Sequence, residues 1–113
     1  MNEISIINNT YDFYKSLIET TSRIEKRFRY SLASKIEEQT LDLLQNLIMA
    51  KHAPKSLKAG YLIKCIGLLE NIRLLLRMCL EINVANETNI FKLQENATET
   101  GRMLGGWLRS LEK

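Results

Sequence analysis

The side chains that could carry out chemistry are few, and their spacing argues against most of it. His52 is the single histidine, so no histidine pair is available to a metal and no His-based triad can be assembled. Cys65 and Cys79 are the only cysteines. If both lie on one helix they stand about 21 Å apart, beyond disulfide reach, and they read as buried thiols. Glu37 and Glu38 are adjacent in sequence and so diverge on a helix. The glycine-containing stretches GLLENIR and GRMLGG match neither the Walker loop nor the dinucleotide fingerprint. The expectation is a chain without catalytic residues, metal or cofactor, whose work is binding.

Cations are the side chains that point somewhere. The net charge is only +3, but Arg23, Lys26, Arg27, Arg29 and Lys35 sit with Glu25 alone, and Lys51, Lys55, Lys58, Lys64, Arg73 and Arg77 with Glu70 alone. Eleven of the sixteen basic residues therefore share two segments with two of the thirteen acidic ones, which points to a polyanionic partner. Phe28 and Tyr30 are interleaved with the first group, so phosphate contact and base stacking are both available there. Arg73 and Arg77 are four apart, and an anion between them would relieve their repulsion. The alternative is a solvated face laced by local pairs, for which Glu70 with Arg73 and Arg77 with Glu81 have the right spacing.

The elements that must position these cations are helical. From Leu57 to Asn83, Cys65, Leu68, Ile72, Leu75, Cys79 and Ile82 form one apolar row, and Leu62, Ile66, Leu69, Leu76 and Leu80 form a second beside it. So wide a surface needs helical neighbours on at least two sides. Lys64, Glu70, Arg73, Arg77 and Glu81 interrupt it too often for a membrane span. A first helix is expected after a polar leader, Met1 to Asn9, capped by Asn9 or Thr10 with Tyr11, Tyr14, Leu17, Ile18 and Thr21 inward. It should break between Ser22 and Arg27, where a Thr-Thr-Ser cluster gives way to dense positive charge. The second, Arg27 to Lys51, should bury Phe28, Leu32, Ile36, Leu43 and Leu47, flanked by Leu41, Leu44 and Ile48, and end before Pro54. A fourth follows a turn at Asn83 to Asn86, with Ile90, Leu93, Ala97, Gly101, Leu104, Leu108 and Leu111 on one face. Gly101, Gly105 and Gly106 before Trp107 imply close backbone approach, either within the bundle or at a subunit interface. Four helices on short turns make residues 1–113 one all-α domain, an antiparallel up-down four-helix bundle. The N-terminus has neither the charged nor the apolar region of a secretory signal, so a reducing, cytoplasmic setting is expected and the sequons at Asn8, Asn86 and Asn96 read as chance matches.

Several stretches resemble the Avd family, the accessory variability determinants of diversity-generating retroelements, and the related four-helix bundles encoded in rRNA intervening sequences. They are Tyr11-Asp12-Phe13-Tyr14, Tyr30-Ser31-Leu32-Ala33 with Ile36, Ile72-Arg73-Leu74-Leu75-Leu76-Arg77, and Gly101-Arg102-Met103-Leu104-Gly105-Gly106-Trp107-Leu108. The last, an E-x-G-R-x-L-G-G-W ending, is the most specific. The resemblance implies a homopentameric barrel with a basic surface, partnering a reverse transcriptase and its template RNA or cDNA, the polymerase doing the chemistry. It makes Arg73 and Arg77 the paired arginines of the third helix, and it puts Glu25 where family members usually have a proline. An intervening-sequence-type bundle without a polymerase partner is the alternative, distinguished by the neighbouring genes.

Overall fold

The computed structural model describes residues 3–112. Its four long helices are α1 (Glu3–Thr21), α3 (Ser34–His52), α4 (Lys55–Glu81) and α5 (Glu87–Ser110); a three-residue turn, α2 (Lys26–Phe28), and a π-helical turn, Arg29–Ala33, lead into α3. Each long helix packs against the next in the chain and α5 closes back on α1, which gives the expected up-down-up-down bundle, 46 Å long and about 20 Å across. The core is one apolar cluster, in which α4 contributes Leu62, Cys65, Leu69, Ile72, Leu76 and Cys79. This buried row combines members of the two rows read from the sequence. The thiols are separate, as their spacing requires, and burial pushes Cys65 up to about 12 and Cys79 to about 11.

Helix α1 departs from expectation in two ways. Residues 3–9 are not a leader but its first two turns, with Ile6 fully buried in the core; Met1 and Asn2 lie outside the described residues. Leu17 and Thr21 are buried as expected, but the rest of the inward row is Ile6, Thr10, Phe13 and Thr20; Tyr14 is half-buried, and Tyr11 and Ile18 are exposed. Small side chains win these positions because the helices approach closely, and a threonine hydroxyl can satisfy itself on its own helix. Thr20 donates to the Ser16 carbonyl, Thr40 to that of Ile36 and Thr100 to that of Asn96, whereas the Thr10 hydroxyl is buried without a partner. A tyrosine would have to carry its hydroxyl out to water. Asn9 does not cap; its Nδ2 donates across to Asn96 Oδ1 and Thr100 Oγ1, both at 2.7 Å, pinning α1 to α5.

The break after α1 forms at Ser22 to Glu25 without a proline. Glu25 has φ −48°, within reach of what proline would impose, and its carbonyl accepts from the Phe28 and Arg29 amides. Thr21 Oγ1 donates to Glu37 Oε2 at 2.9 Å and ties the break to α3. Of the face expected for the second helix, Ile36, Leu43 and Leu47 are buried in α3, Phe28 and Leu32 in the preceding turns are only half-buried, and Leu41 and Ile48 stay exposed. The α4–α5 turn is a Schellman motif: Asn83 takes φ 58°, with Val84 N–H donating to the Cys79 carbonyl and Asn83 N–H to that of Leu80. Asn86 then caps α5 by accepting from the Asn89 amide at 3.0 Å.

At Gly101 an added methyl would lie 3.4 Å from Leu69 Cδ2 on α4, so this glycine marks the α4–α5 approach within the bundle. Gly101→Ala should fold at unchanged or slightly higher stability, because the contact stays ordinary and alanine favours helix by about 1 kcal/mol. Gly101→Leu should lose about 1–3 kcal/mol by forcing the helices apart; urea denaturation of the two variants checks both.

Candidate nucleic-acid interface

The antiparallel course of the chain sorts the eleven cations by end. The connection after α1, the start of α3, the end of α4 and the start of α5 share one end, where Thr20 and Arg23 line a groove with Asn83 to Asn86 and Asn89. Here stand Arg23, Lys26, Arg27, Arg29 and Lys35, with Arg77 one turn from the end of α4 and Arg73 a turn further. Lys51, Lys55, Lys58 and Lys64 lie toward the opposite end, around the α3–α4 loop. From Arg77 to Lys55 is about 33 Å along α4. The second basic segment is therefore divided: Arg73 and Arg77 fall with the first segment at one end, and Lys51, Lys55, Lys58 and Lys64 lie toward the other.

Within each end, some cations are already engaged. Arg29 Nη2 donates to the carbonyls of Ser22 at 3.2 Å and Ile24 at 3.3 Å, clamping the break after α1. A cation is favoured there because the α1 C-terminus presents unsatisfied carbonyls. Lys58 does the same at the other end: its Nζ donates to the Ala50 carbonyl at 2.7 Å and the Lys51 carbonyl at 2.8 Å, closing the C-terminus of α3. Lys35 pairs with Glu38 at 3.7 Å, Arg73 with Glu70 at 3.7 Å and Arg77 with Glu81 at 3.8 Å, all long, local contacts. Exposed pairs of this kind contribute little and yield readily to a stronger anion. Arg73 also reaches Thr98 Oγ1 at 3.3 Å, and its carbonyl accepts from Gln94 Nε2 at 3.0 Å. Together with Asn71 and Leu74, these two arginines and Gln94 line a shallow groove between α4 and α5, and Gln94 Oε1 is buried there without a hydrogen-bond partner.

What remains unengaged is concentrated after α1. Arg23 and Lys26 are exposed and have neither an ion pair nor a side-chain hydrogen bond among the described residues, and Arg27 stacks its guanidinium 4.8 Å above the Phe28 ring. At the other end Lys64 is likewise unpaired, and Lys51 is half-buried. Sequence reasoning passed over Lys92, which joins Arg23, Ser16, Thr20 and Asn96 in a polar groove between α1 and α5. It has no other cation near it along α5, so only the fold brings it to Arg23, in a groove that Glu19 also lines.

A family model described as bAvd-like matches residues 5–111. The chain belongs to the bAvd-like family. It is thus an Avd-type accessory protein. No curated protein matches the chain. The family-like ending gains a physical reading from the structure, since Leu104 and Trp107 are buried in the core and Gly101 faces Leu69. Glu99 and Arg102 form a two-bond ion pair on the outer face, which holds the Glu99 carboxyl below its ordinary value. At Gly105 an added methyl would lie 3.2 Å from Arg109 Nη1, so the glycine makes room for that side chain, while Gly106 is half-buried beside it. These residues hold the bundle together. Among the described residues there is no cluster of three or more metal-ligating side chains, and no helix is long and apolar enough to cross a membrane.

Replacing both Arg23 and Lys26 by Gln should flatten the dependence of log K on log salt for a single-stranded oligonucleotide by about 1.4, the value for two lost phosphate contacts. Lys58→Ala should leave that slope unchanged and lower the melting temperature instead, because it uncaps α3. Fluorescence anisotropy over a salt series and a thermal melt separate the two effects.

Proposed function

We propose that this chain is the non-enzymatic accessory subunit of a diversity-generating retroelement: a homopentamer that binds the element's reverse transcriptase and its template RNA or cDNA and supports mutagenic reverse transcription. Family membership over residues 5–111 carries the reading. The geometry supports its two working parts. Arg23, Lys26 and Arg27, without carboxylate partners, offer a polyanion a surface whose ions need not first be separated from internal pairs. The groove of Arg73, Arg77, Asn71 and Gln94, which also holds the Glu70 carboxylate, offers the polymerase a site of mixed charge at the border of the exposed α4 face.

Self-assembly is supported by two apolar rows that the protomer leaves uncovered. On α4, Ile63, Leu74 and Met78 share the outward face with Gly60 and Gly67, where an added methyl would meet nothing within 4 Å. Each of these glycines disfavours the helix by about 1 kcal/mol, and neither has a neighbour within the protomer to require it. A second helix backbone approaching that face would. Along the α1–α3 side run Ile4, Tyr11 and Ile18 on one helix and Leu41 and Ile48 on the other, both at heptad spacing. Two different apolar surfaces on one protomer suit a head-to-tail ring, whereas a two-fold dimer needs one self-complementary surface. The subunit number of five comes from the family resemblance.

Sedimentation should give a species of five times 13.1 kDa. Gly67→Leu should reduce it to a monomer whose melting temperature at matched subunit concentration reflects a soundly folded bundle, because the substituted position is open within the protomer. The wild-type protein should co-purify with the neighbouring reverse transcriptase, and Arg73→Glu with Arg77→Glu should abolish that association. A monomeric wild-type protein would sink the assembly, and undiminished co-purification would remove the two arginines from the contact.

A further inference from the structure

Tyr30 is the most exposed large hydrophobic side chain, at 75 % of its maximal area. It sits in the π-helical turn Arg29–Ala33, which the Ser34 amide closes by donating to the Arg29 carbonyl five residues back. A π turn admits one extra residue and rotates the side chains that precede it relative to those that follow. Here Ala33 and Ile36 enter the core while Tyr30 is turned out to solvent. The ring borders a shallow groove between the end of α1 and the start of α3, lined by Ile18, Ser22, Arg29, Ser34 and Glu37. Its surroundings are fixed: Arg29 clamps the Ser22 and Ile24 carbonyls, and Thr21 Oγ1 donates to Glu37, the carboxylate of this groove. Lys26 and Arg27, four and three residues earlier in the chain, carry no carboxylate partner.

We infer that Tyr30 is a base-stacking platform and that it makes the nucleic-acid surface selective for single strands over duplex. An exposed aromatic ring four residues after an unpaired lysine gives an unstacked base a face to lie on while a neighbouring phosphate meets Lys26. In a duplex the bases are already stacked and only the phosphates are available, so the ring adds nothing. This inference rests on the nucleic-acid reading of the preceding section and specifies its ligand class. A protein partner would also use an exposed tyrosine, but Lys26 and Arg27 in the preceding turn, without carboxylate partners, favour the polyanion.

The test compares wild-type protein, Tyr30→Ala and Tyr30→Phe for binding to a labelled 20-nucleotide strand and to the duplex of the same sequence, at one salt concentration. The wild-type should prefer the strand. Tyr30→Ala should weaken strand binding about tenfold and leave duplex binding within twofold, while Tyr30→Phe should keep the wild-type preference. A strand substituted with 4-thiouridine should photocrosslink to the peptide containing Tyr30. If Tyr30→Ala leaves strand binding unchanged, weakens strand and duplex equally, or affects only co-purification of the polymerase, the stacking platform is overturned and the nucleic-acid reading stands. If the wild-type binds neither probe at low salt, the nucleic-acid reading falls, and the platform with it.

Discussion

The burial of one side of α4 is the constraint on which everything else depends. Leu62, Cys65, Leu69, Ile72, Leu76 and Cys79 disappear into the core, and a fully buried aliphatic side chain contributes roughly 1.5–3 kcal/mol. Because this row runs the length of the longest helix, it fixes the register of the flanking helices. Leu69 sets how closely α5 can approach at Gly101, and Cys65, donating weakly to the Leu43 carbonyl at 3.8 Å, lies directly against α3. The outward side of the same helix is left apolar, with two glycines in it, and the protomer has no element to cover it. The helix therefore builds the bundle with one side and leaves Ile63, Leu74 and Met78 exposed among charged residues on the other.

Antiparallel topology then decides what the charges can do. A chain that reverses at each turn carries two basic segments, centred near residues 29 and 58, to opposite ends of a 46 Å particle. At each end one cation is taken by helix-terminal carbonyls, Arg29 after α1 and Lys58 after α3, so part of the positive charge is structural. Arg23, Lys26 and Arg27 remain, in the one irregular connection that is held from both sides, by the Arg29 clamp and by Thr21 on Glu37. In this account the connection is rigid enough to present charge and aromatic surface together. In a closed ring, the same end of every subunit would bring these groups into one recurring array.

Much of this was legible in the sequence, for reasons that can be named. The apolar periodicity from residue 57 to 83 is long and free of proline, and Gly60 and Gly67 fall outside its apolar rows, so the central helix was readable to within two residues. The turn at Asn83 to Asn86 announced itself because asparagine serves both as a left-handed C-terminal residue and as an N-cap. Helix α1 was misjudged because its inward row uses Thr10 and Thr20, which carry no hydrophobic signal; Thr20 bonds to its own helix, while the Thr10 hydroxyl is buried without a hydrogen-bond partner. The π turn was hidden because nothing in Arg-Tyr-Ser-Leu-Ala distinguishes it from ordinary helix. Charge counting along the chain grouped Arg73 and Arg77 with Lys51 to Lys64, whereas the antiparallel course carries those two arginines to the end that holds Arg23 to Lys35. Lys92 was invisible for the converse reason, since only packing brings it to Arg23.

The central claim is that the connection after α1, and not the equally basic α3–α4 loop, is the surface that meets nucleic acid. Amide hydrogen exchange of the protein, with and without a saturating single-stranded oligonucleotide, tests this most directly. The account predicts slowed exchange across residues 22–35 and unchanged exchange across residues 50–64. Slowing confined to residues 50–64, or no change in either segment under conditions where binding is demonstrated, would contradict it.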